Sequence, residues 1–140
     1  MKKIFIDTNL WVRFFIEDNH EQFDQTKTLL AQVEEGNLRA YTSTIVLLEL
    51  QFVLQKLYFL SFEKAVEIFE IIRKVRNITI IEKTNLDLAI KFFRLYKIKF
   101  PDCLIASQLP KDIILVSFDE ELVKIKEITL KKPKQIIKGN

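Results

Sequence analysis

The chain has 140 residues, of which 49% are apolar and 29% are charged, which favours one globular domain over residues 1–140 and excludes a disordered chain. A single Cys and a single His exclude an internal disulfide and a zinc site made of Cys and His side chains. The net charge of +3 is too small to indicate a nucleic-acid partner by itself. No apolar run is long enough for a signal peptide or a membrane span, so we expect a cytoplasmic protein that is not bound to a membrane.

Short apolar runs and amphipathic stretches alternate along the chain. In the first half, the predicted elements are a strand over 4–6, a helix from residue 8, a helix over 20–35, a strand over 39–42 and a helix over 45–57. In the second half, they are a helix over 61–75, a strand over 79–81, a helix over 84–98, a short helix with Pro101 at its first position, a strand over 113–116, and a last short helix with a candidate fifth strand near 135–137. Strands without polar alternation, separated by helices, predict an α/β fold: a central parallel sheet of four to five short strands with helices on both faces.

Several of these boundaries depend on residues that favour helix ends. Thr8 or Asn9 is expected to cap the first helix, and Gly36 to end the second. Thr84 opens a capping-box sequence at the start of a later helix. The helix over 45–57 is apolar almost all round, so we expect it to be largely buried.

Acidic side chains stand at unusual places in this pattern. Asp7 and Asp119 follow predicted strands, Asp102 lies at a helix start, and one glutamate interrupts the apolar helix. Each has a structural explanation on its own, because the aspartates can cap helices and Glu49 can form a buried salt bridge with an arginine such as Arg13. Taken together, they belong to the carboxyl edge of a parallel sheet, which is where such folds bind ligands. We therefore expect the four carboxylates to lie close together.

A cluster of oxygen ligands suits Mg²⁺ or Mn²⁺, and the chain has no set of His and Cys residues that would suggest zinc. In nucleases and phosphatases, clusters of this kind hold metal ions that promote in-line displacement at phosphorus. The acids therefore indicate metal-dependent phosphoryl chemistry, and they leave the substrate open.

Four short motifs carry a family resemblance. They are FIDTN at 5–9, STIVLLEL at 43–50, PD at 101–102 followed by LIA at 104–106, and VSFD at 116–119. In order, spacing and overall length, they resemble the PIN-domain ribonucleases and, within that family, the VapC-like toxins of toxin–antitoxin pairs. The resemblance covers essentially the whole chain and implies a PIN-like three-layer fold.

The resemblance also implies roles for individual residues. The residues expected to act as catalytic acids and metal ligands are Asp7, Glu49, Asp102 and Asp119. Among them, Asp102 is expected to be a direct ligand and Asp119 a more indirect one. The polar residues expected to hold these carboxylates by hydrogen bonds are Asn9, Ser43 and Ser117.

The implied cofactor is Mg²⁺ or Mn²⁺, and the implied partners are an RNA substrate, single-stranded or structured, and a cognate antitoxin protein. A homodimer is also expected, with apolar helices near Trp11 and Phe62 as its surface. Two alternatives stay open: a catalytically inactive PIN-like module that binds RNA or protein, and a housekeeping RNA-processing nuclease, which would usually carry extra domains. A binding module should tolerate the loss of Asp7, whereas a nuclease should not.

Overall fold

A computed structural model describes residues 1–138 of the chain. The strands are β1 (Lys2–Ile6), β2 (Leu38–Ser43), β3 (Ile78–Ile81), β4 (Ile113–Val116) and β5 (Thr129–Lys131). The α-helices are α1 (Thr8–Ile16), α2 (His20–Glu34), α3 (Thr44–Phe52), α4 (Phe62–Lys74), α5 (Leu86–Tyr96), α6 (Phe100–Ser107) and α7 (Pro133–Lys138). A π-helical turn over Val53–Leu57 continues α3, and a 3₁₀ turn covers Glu121–Lys124. Among these described residues, no helix is both long enough and apolar enough to span a membrane.

All five strands run parallel in one sheet, in the order β3-β2-β1-β4-β5, and helices complete a three-layer α/β architecture. The chain leaves β1 towards β2 and β3 on one side and later returns to β4 and β5 on the other side. The connections that follow β1 and β4 therefore diverge and open a crevice at the carboxyl ends of these two strands. Ile6 pairs with Val116 at that end, so the residues that follow them come together.

The core lies around the central strand. Ile4, Phe5 and Ile6 have no exposed surface, which explains why this run shows no polar alternation. Trp11 of α1 is also fully buried, and its Nε1 donates a hydrogen bond to Thr42 Oγ1 at 3.2 Å. The expectation that the surface near Trp11 offers a dimer contact is therefore wrong for Trp11 itself, because its indole has a hydrogen-bond partner inside the core.

The predicted burial of the helix over 45–57 is also wrong. Its α-helical part ends at Phe52, and the π-helical turn over Val53–Leu57 follows. The fully buried residues of this segment are Val46, Leu50 and Leu54. Leu48 and Phe52 are 65% and 61% exposed, because only one face of the helix packs on the rest of the described chain. The apolar composition of this helix therefore predicted more buried faces than the structure shows.

Two helix caps lie one residue away from their predicted positions. Asp7, rather than Thr8 or Asn9, caps α1, because the Asn9 amide is engaged with the loop after β4. Asn85, rather than Thr84, caps α5, and its Oδ1 accepts a hydrogen bond from the amide of the third helical residue at 3.1 Å. Gly36 follows the end of α2 as predicted, with a φ of 87° that favours glycine.

The fifth strand is present, but the segment at 135–137 is helical. Pro133 begins α7, a position where its fixed φ and missing N–H are no disadvantage. The Gln135 side chain accepts a hydrogen bond from the Lys132 amide at 2.8 Å and so supports the start of this helix. The strand lies earlier, at Thr129–Lys131, where it pairs with β4.

Candidate active site

Asp7 occupies the crevice between the two central strands. It follows β1 directly, its amide donates to the Val116 carbonyl at 3.1 Å, and its side chain is only 6% exposed. One carboxylate oxygen accepts from the Thr8 amide at 2.8 Å, and the other accepts from the Ser117 hydroxyl at 2.7 Å. Capping of α1 therefore accounts for the hydrogen bond to one oxygen of Asp7, and the residue that follows β4 binds the second oxygen.

Ser117 is the hub of the hydrogen bonds between the two strand ends. Besides donating to Asp7, its Oγ accepts from Asn9 Nδ2 at 2.8 Å and from the Asp119 amide at 3.0 Å. Asn9 Oδ1 in turn accepts from the Phe118 amide at 3.0 Å. These contacts join the start of α1 to the loop after β4, so they fix both the rotamer of Asp7 and the path of the backbone towards Asp119.

Glu49 approaches the same crevice from α3. Its Oε1 accepts a hydrogen bond from the Thr8 hydroxyl at 3.1 Å, and its side chain is half-buried. The alternative of a salt bridge to Arg13 is not observed, because that guanidinium pairs with Asp18. Within residues 1–138, Glu49 forms no ion pair. A carboxylate thus lies beside Asp7 without a cation in direct contact.

The third and fourth acids differ in exposure. Asp102 lies in the first turn of α6 and is only 6% exposed. Asp119 is exposed, and its Oδ1 accepts from the Glu121 amide at 2.9 Å, but it is not the cap of the 3₁₀ turn, whose N-cap residue is Glu120. All four acids nevertheless line one open cavity of about 260 Å³. The other polar residues that line it are Thr8, Asn9, Arg13, Tyr58, Lys99.

The electrostatics of this cavity disfavour the charged form of three acids. Burial raises the pKa of Asp7 despite the hydrogen bonds from Ser117 and Thr8. Burial and then the charge of Asp7 raise the pKa of Glu49. Burial raises the pKa of Asp102 to about 7; Lys99 opposes this shift, and Glu49 and Asp7 add to it. Without a cation, the three carboxylates repel one another in a poorly solvated space.

The donor chemistry fits a hard divalent cation, since carboxylate oxygens are the ligands that Mg²⁺ and Mn²⁺ prefer. As the side chains stand, however, no three His, Cys, Asp or Glu residues within 1–138 are close enough together to hold a metal ion. Asp7 is fixed by its hydrogen bonds, whereas Glu49 and Asp119 are the less buried members of the set. A cation would therefore have to draw the less buried carboxylates towards Asp7.

Ser43 does not join the hydrogen bonds around the acids. Its buried Oγ accepts from the amides of Ile45 and Val46, at 3.1 and 3.3 Å, and so caps α3. Among the described residues, this hydroxyl has no carboxylate partner. It positions Glu49 only through the start of the helix that carries it.

Two polar features of the cavity were not predicted from the sequence. Lys99, the residue at the N-cap of α6, lies beside the acids; its position three residues before Asp102 was the available signal. Arg13 and Tyr58 both bind Asp18, with the tyrosine hydroxyl 3.1 Å from the carboxylate. This second group joins the end of α1 to the π-helical turn and forms the far wall of the cavity.

Comparisons with known proteins agree with this fold. The family model described as PIN domain matches residues 4–128. The crystal structure of VapBC2 from Rickettsia felis, bound to a DNA fragment from their promoter, aligns with a TM-score of 0.64 and 21% identity over 93% of this chain and 98% of that chain. PAE2754 from Pyrobaculum aerophilum aligns with a TM-score of 0.62 and 15% identity over 99% of this chain and 88% of that chain. No curated protein matches significantly. At these identities, the structural likeness establishes the fold.

Proposed function

The chain belongs to the PIN domain family, and we propose that it is a divalent-metal-dependent endoribonuclease that acts as the toxin of a toxin–antitoxin pair. PIN domains are generally nucleases, which sets the class of reaction. The observation that carries the proposal for this chain is the gathering of its acids on one cavity at the crevice between β1 and β4. The acids are Asp7, Glu49, Asp102 and Asp119.

In this proposal, the four acids hold Mg²⁺ or Mn²⁺, which supplies an activated water and stabilises charge on the phosphate when bound. The chain's own contribution is positioning. Ser117 and the Thr8 amide hold both oxygens of Asp7, and the Thr8 hydroxyl orients Glu49. These contacts fix Asp7 between the ends of β1 and β4 and hold Glu49 beside it, and a cation would draw the remaining carboxylates in.

Cleavage of RNA by the purified protein tests the proposal. We expect a single-stranded RNA and an RNA with loops to be cut internally with Mg²⁺ or Mn²⁺, and we expect EDTA to stop the reaction. Asp7→Asn should lower the rate to that of the EDTA-treated protein while the fold is kept. Asp112→Asn is the matched control, because this exposed aspartate pairs with Lys3 far from the cavity.

Full activity in EDTA, or full activity of Asp7→Asn, would overturn the metal-dependent nuclease. RNA binding that survives both treatments without any cleavage by the wild type would favour the inactive binding module. Cleavage confined to one precursor RNA, without harm to growing cells, would favour the housekeeping nuclease.

The proposed antitoxin partner is supported by the likeness to the VapBC2 structure, which is itself a complex. The acids suit a partner that brings a basic side chain into the cavity, since such a group can pair with carboxylates in place of a metal ion. We expect expression of the chain in the cytoplasm to arrest growth, and we expect Asp7→Asn to relieve the arrest. Equal growth arrest by the wild type and by Asp7→Asn would mean that toxicity does not depend on the proposed nuclease site.

A homodimer is proposed from exposed apolar side chains rather than from Trp11. The most exposed of them between α3 and the start of α4 are Leu48, Phe52, Leu57, Phe59 and Phe62. Side chains of this size are seldom exposed together on a monomer. Sedimentation should show a dimer, and Leu48→Glu should shift it to a monomer; a wild-type monomer at high concentration would refute this part.

A further inference from the structure

Two cations line the carboxylate cavity, and only one is committed to a partner. The guanidinium of Arg13 forms an ion pair with Asp18, which also accepts from the Tyr58 hydroxyl. Lys99 is exposed and forms no ion pair with any carboxylate within residues 1–138. Lys99 is therefore the cation of this cavity whose ammonium is available to a ligand.

The backbone fixes the place of Lys99 relative to the acids. Its carbonyl accepts the first hydrogen bonds of α6, from the amides of Asp102 and Cys103 at 3.1 and 3.2 Å. Its side chain makes no capping bond, so it is not used to start the helix. Although burial acts to lower its pKa, the neighbouring acids, Asp102 first, raise it above the ordinary value, so the ammonium stays charged at neutral pH.

Lys99 also stands on a boundary between two spaces. One is the carboxylate cavity, and the other is an apolar groove of about 460 Å³ between α3 and α6. Lys99, Glu49 and Val53 line both. A strand of nucleic acid that reaches the acids from the groove has to pass this lysine.

A lysine at this place suits a cavity lined by carboxylates. A phosphodiester is an anion, and the carboxylates repel it unless cations offset their charge. Resting on the RNA substrate proposed above, we infer that Lys99 binds a phosphodiester group of the RNA beside the carboxylates. A lysine suits this role because its ammonium donates charge-assisted hydrogen bonds to phosphate oxygens.

The test measures RNA binding apart from cleavage, in the Asp7→Asn background and with Mg²⁺ present. The affinity of a short fluorescent single-stranded RNA is measured over a series of salt concentrations for this protein and for the same protein with Lys99→Met. We expect Lys99→Met to weaken binding roughly tenfold and to reduce the slope of log affinity against log salt by about 0.7, the value for one lost phosphate contact to a single strand. Lys99→Arg should restore most of both quantities.

Lys91→Met is the matched control, since this exposed lysine lies on α5 and does not line the cavity. It should change neither the affinity nor the slope. Unchanged affinity and slope for Lys99→Met would overturn the inference, as would weaker binding with an unchanged slope, which would indicate a structural effect.

The nuclease proposal can fail separately. If the wild type cleaves RNA and Lys99→Met binds normally, only the role of Lys99 is wrong. If the wild type cleaves no RNA and Lys99→Met still lowers the affinity and the slope, the phosphate contact stands and the nuclease does not. Absence of RNA binding by every variant would overturn both.

Discussion

Replacing Asp102 by asparagine should stabilise the metal-free protein at neutral and alkaline pH. The carboxyl group is 6% exposed and lies near Glu49 and Asp7, so its charged form is disfavoured in the folded state. Asparagine has nearly the same shape and carries no charge. The substitution therefore removes a repulsion without leaving a cavity.

The size of the effect follows from the raised pKa of Asp102. That pKa is about 7 in the folded protein against an ordinary 3.8, and each pH unit between the two is worth about 1.4 kcal/mol, so the full penalty is about 4 kcal/mol. Water that enters the open side of the cavity screens part of this repulsion, and we expect about 2 kcal/mol to remain. For a chain of this length, that is roughly 6 °C in melting temperature.

The stabilisation expected from Asp102→Asn depends on pH. Below about pH 4, the carboxyl is protonated in both the folded and the unfolded chain, so it costs nothing. As the pH rises towards about 7, the unfolded chain loses this proton more readily than the folded chain, and the free energy of unfolding of the wild type falls. Above that pH the penalty is constant. Asp102→Asn should thus match the wild type near pH 4 and exceed it near pH 8.

Urea denaturation in EDTA at several pH values measures this difference. Asp112→Asn is the control of opposite sign, because a hydrogen bond from Lys3 lowers the pKa of this exposed aspartate, and its loss should not stabilise the protein. A gap between wild type and Asp102→Asn that stays constant from about pH 4 to about pH 8 would refute the reasoning, because it would mean that Asp102 is not crowded by charge.

Three further outcomes follow from the site and its scaffold. Mn²⁺ at about 100 times its Kd for the wild type should stabilise that protein by about 2.7 kcal/mol in a melting experiment. The same Mn²⁺ concentration should stabilise Asp102→Asn less, and equal increments would remove Asp102 from the ligand set. Ser117→Ala should cost about 2–3 kcal/mol in urea denaturation and slow RNA cleavage, because it leaves one oxygen of the buried Asp7 carboxylate without its donor, and a loss near zero would contradict the hub role. Asn85→Ala should lower the free energy of unfolding by about 1 kcal/mol, because it removes the cap of α5, and it should leave the cleavage rate unchanged. Slower cleavage by the folded variant would contradict the expectation that this cap serves stability alone.

The strands that carry the site could be predicted because their burial is nearly complete. The runs over 4–6 and 113–116 are apolar at every position, and both are observed as neighbouring central strands. Asp7 and Asp119 interrupt such runs where the chain leaves the sheet, which is the strongest local sign of a site that a sequence can give. The positions of these two acids could be predicted from the apolar strand runs and from the rule that parallel sheets bind ligands at the carboxyl ends of their strands.

The hydrogen bonds that orient the acids could not be predicted in the same way. Asn9 meets Ser117 across 108 residues, and this contact depends on the register of β1 against β4. Ser43, the last residue of β2, caps a helix instead, because its hydroxyl accepts hydrogen bonds from the amides of Ile45 and Val46. Both serines follow the same local pattern, so only the packing of the strands separates their roles.

The predicted burial of apolar helix faces was wrong for a related physical reason. Periodicity reports that a helix has apolar residues on several sides, but it does not report whether the same chain supplies a partner for each side. Leu48 and Phe52 are apolar and exposed, whereas Trp11, on a helix of the same length, is buried with a polar partner for its ring nitrogen. Burial therefore follows from the layers of the fold more than from the composition of one helix.

The raised pKa values and the proposed metal site have one cause. Buried carboxylates that lie together lower the free energy of unfolding, and a core of this size could replace them with neutral residues at no cost in packing. A divalent cation converts the same repulsion into favourable coordination, and it does so only in the folded chain. The pH-dependent gap between wild type and Asp102→Asn in the absence of metal reports this repulsion, and a bound cation would relieve it, so the gap and the stabilisation by metal share one cause. The two quantities should change together in every acid variant of the cavity.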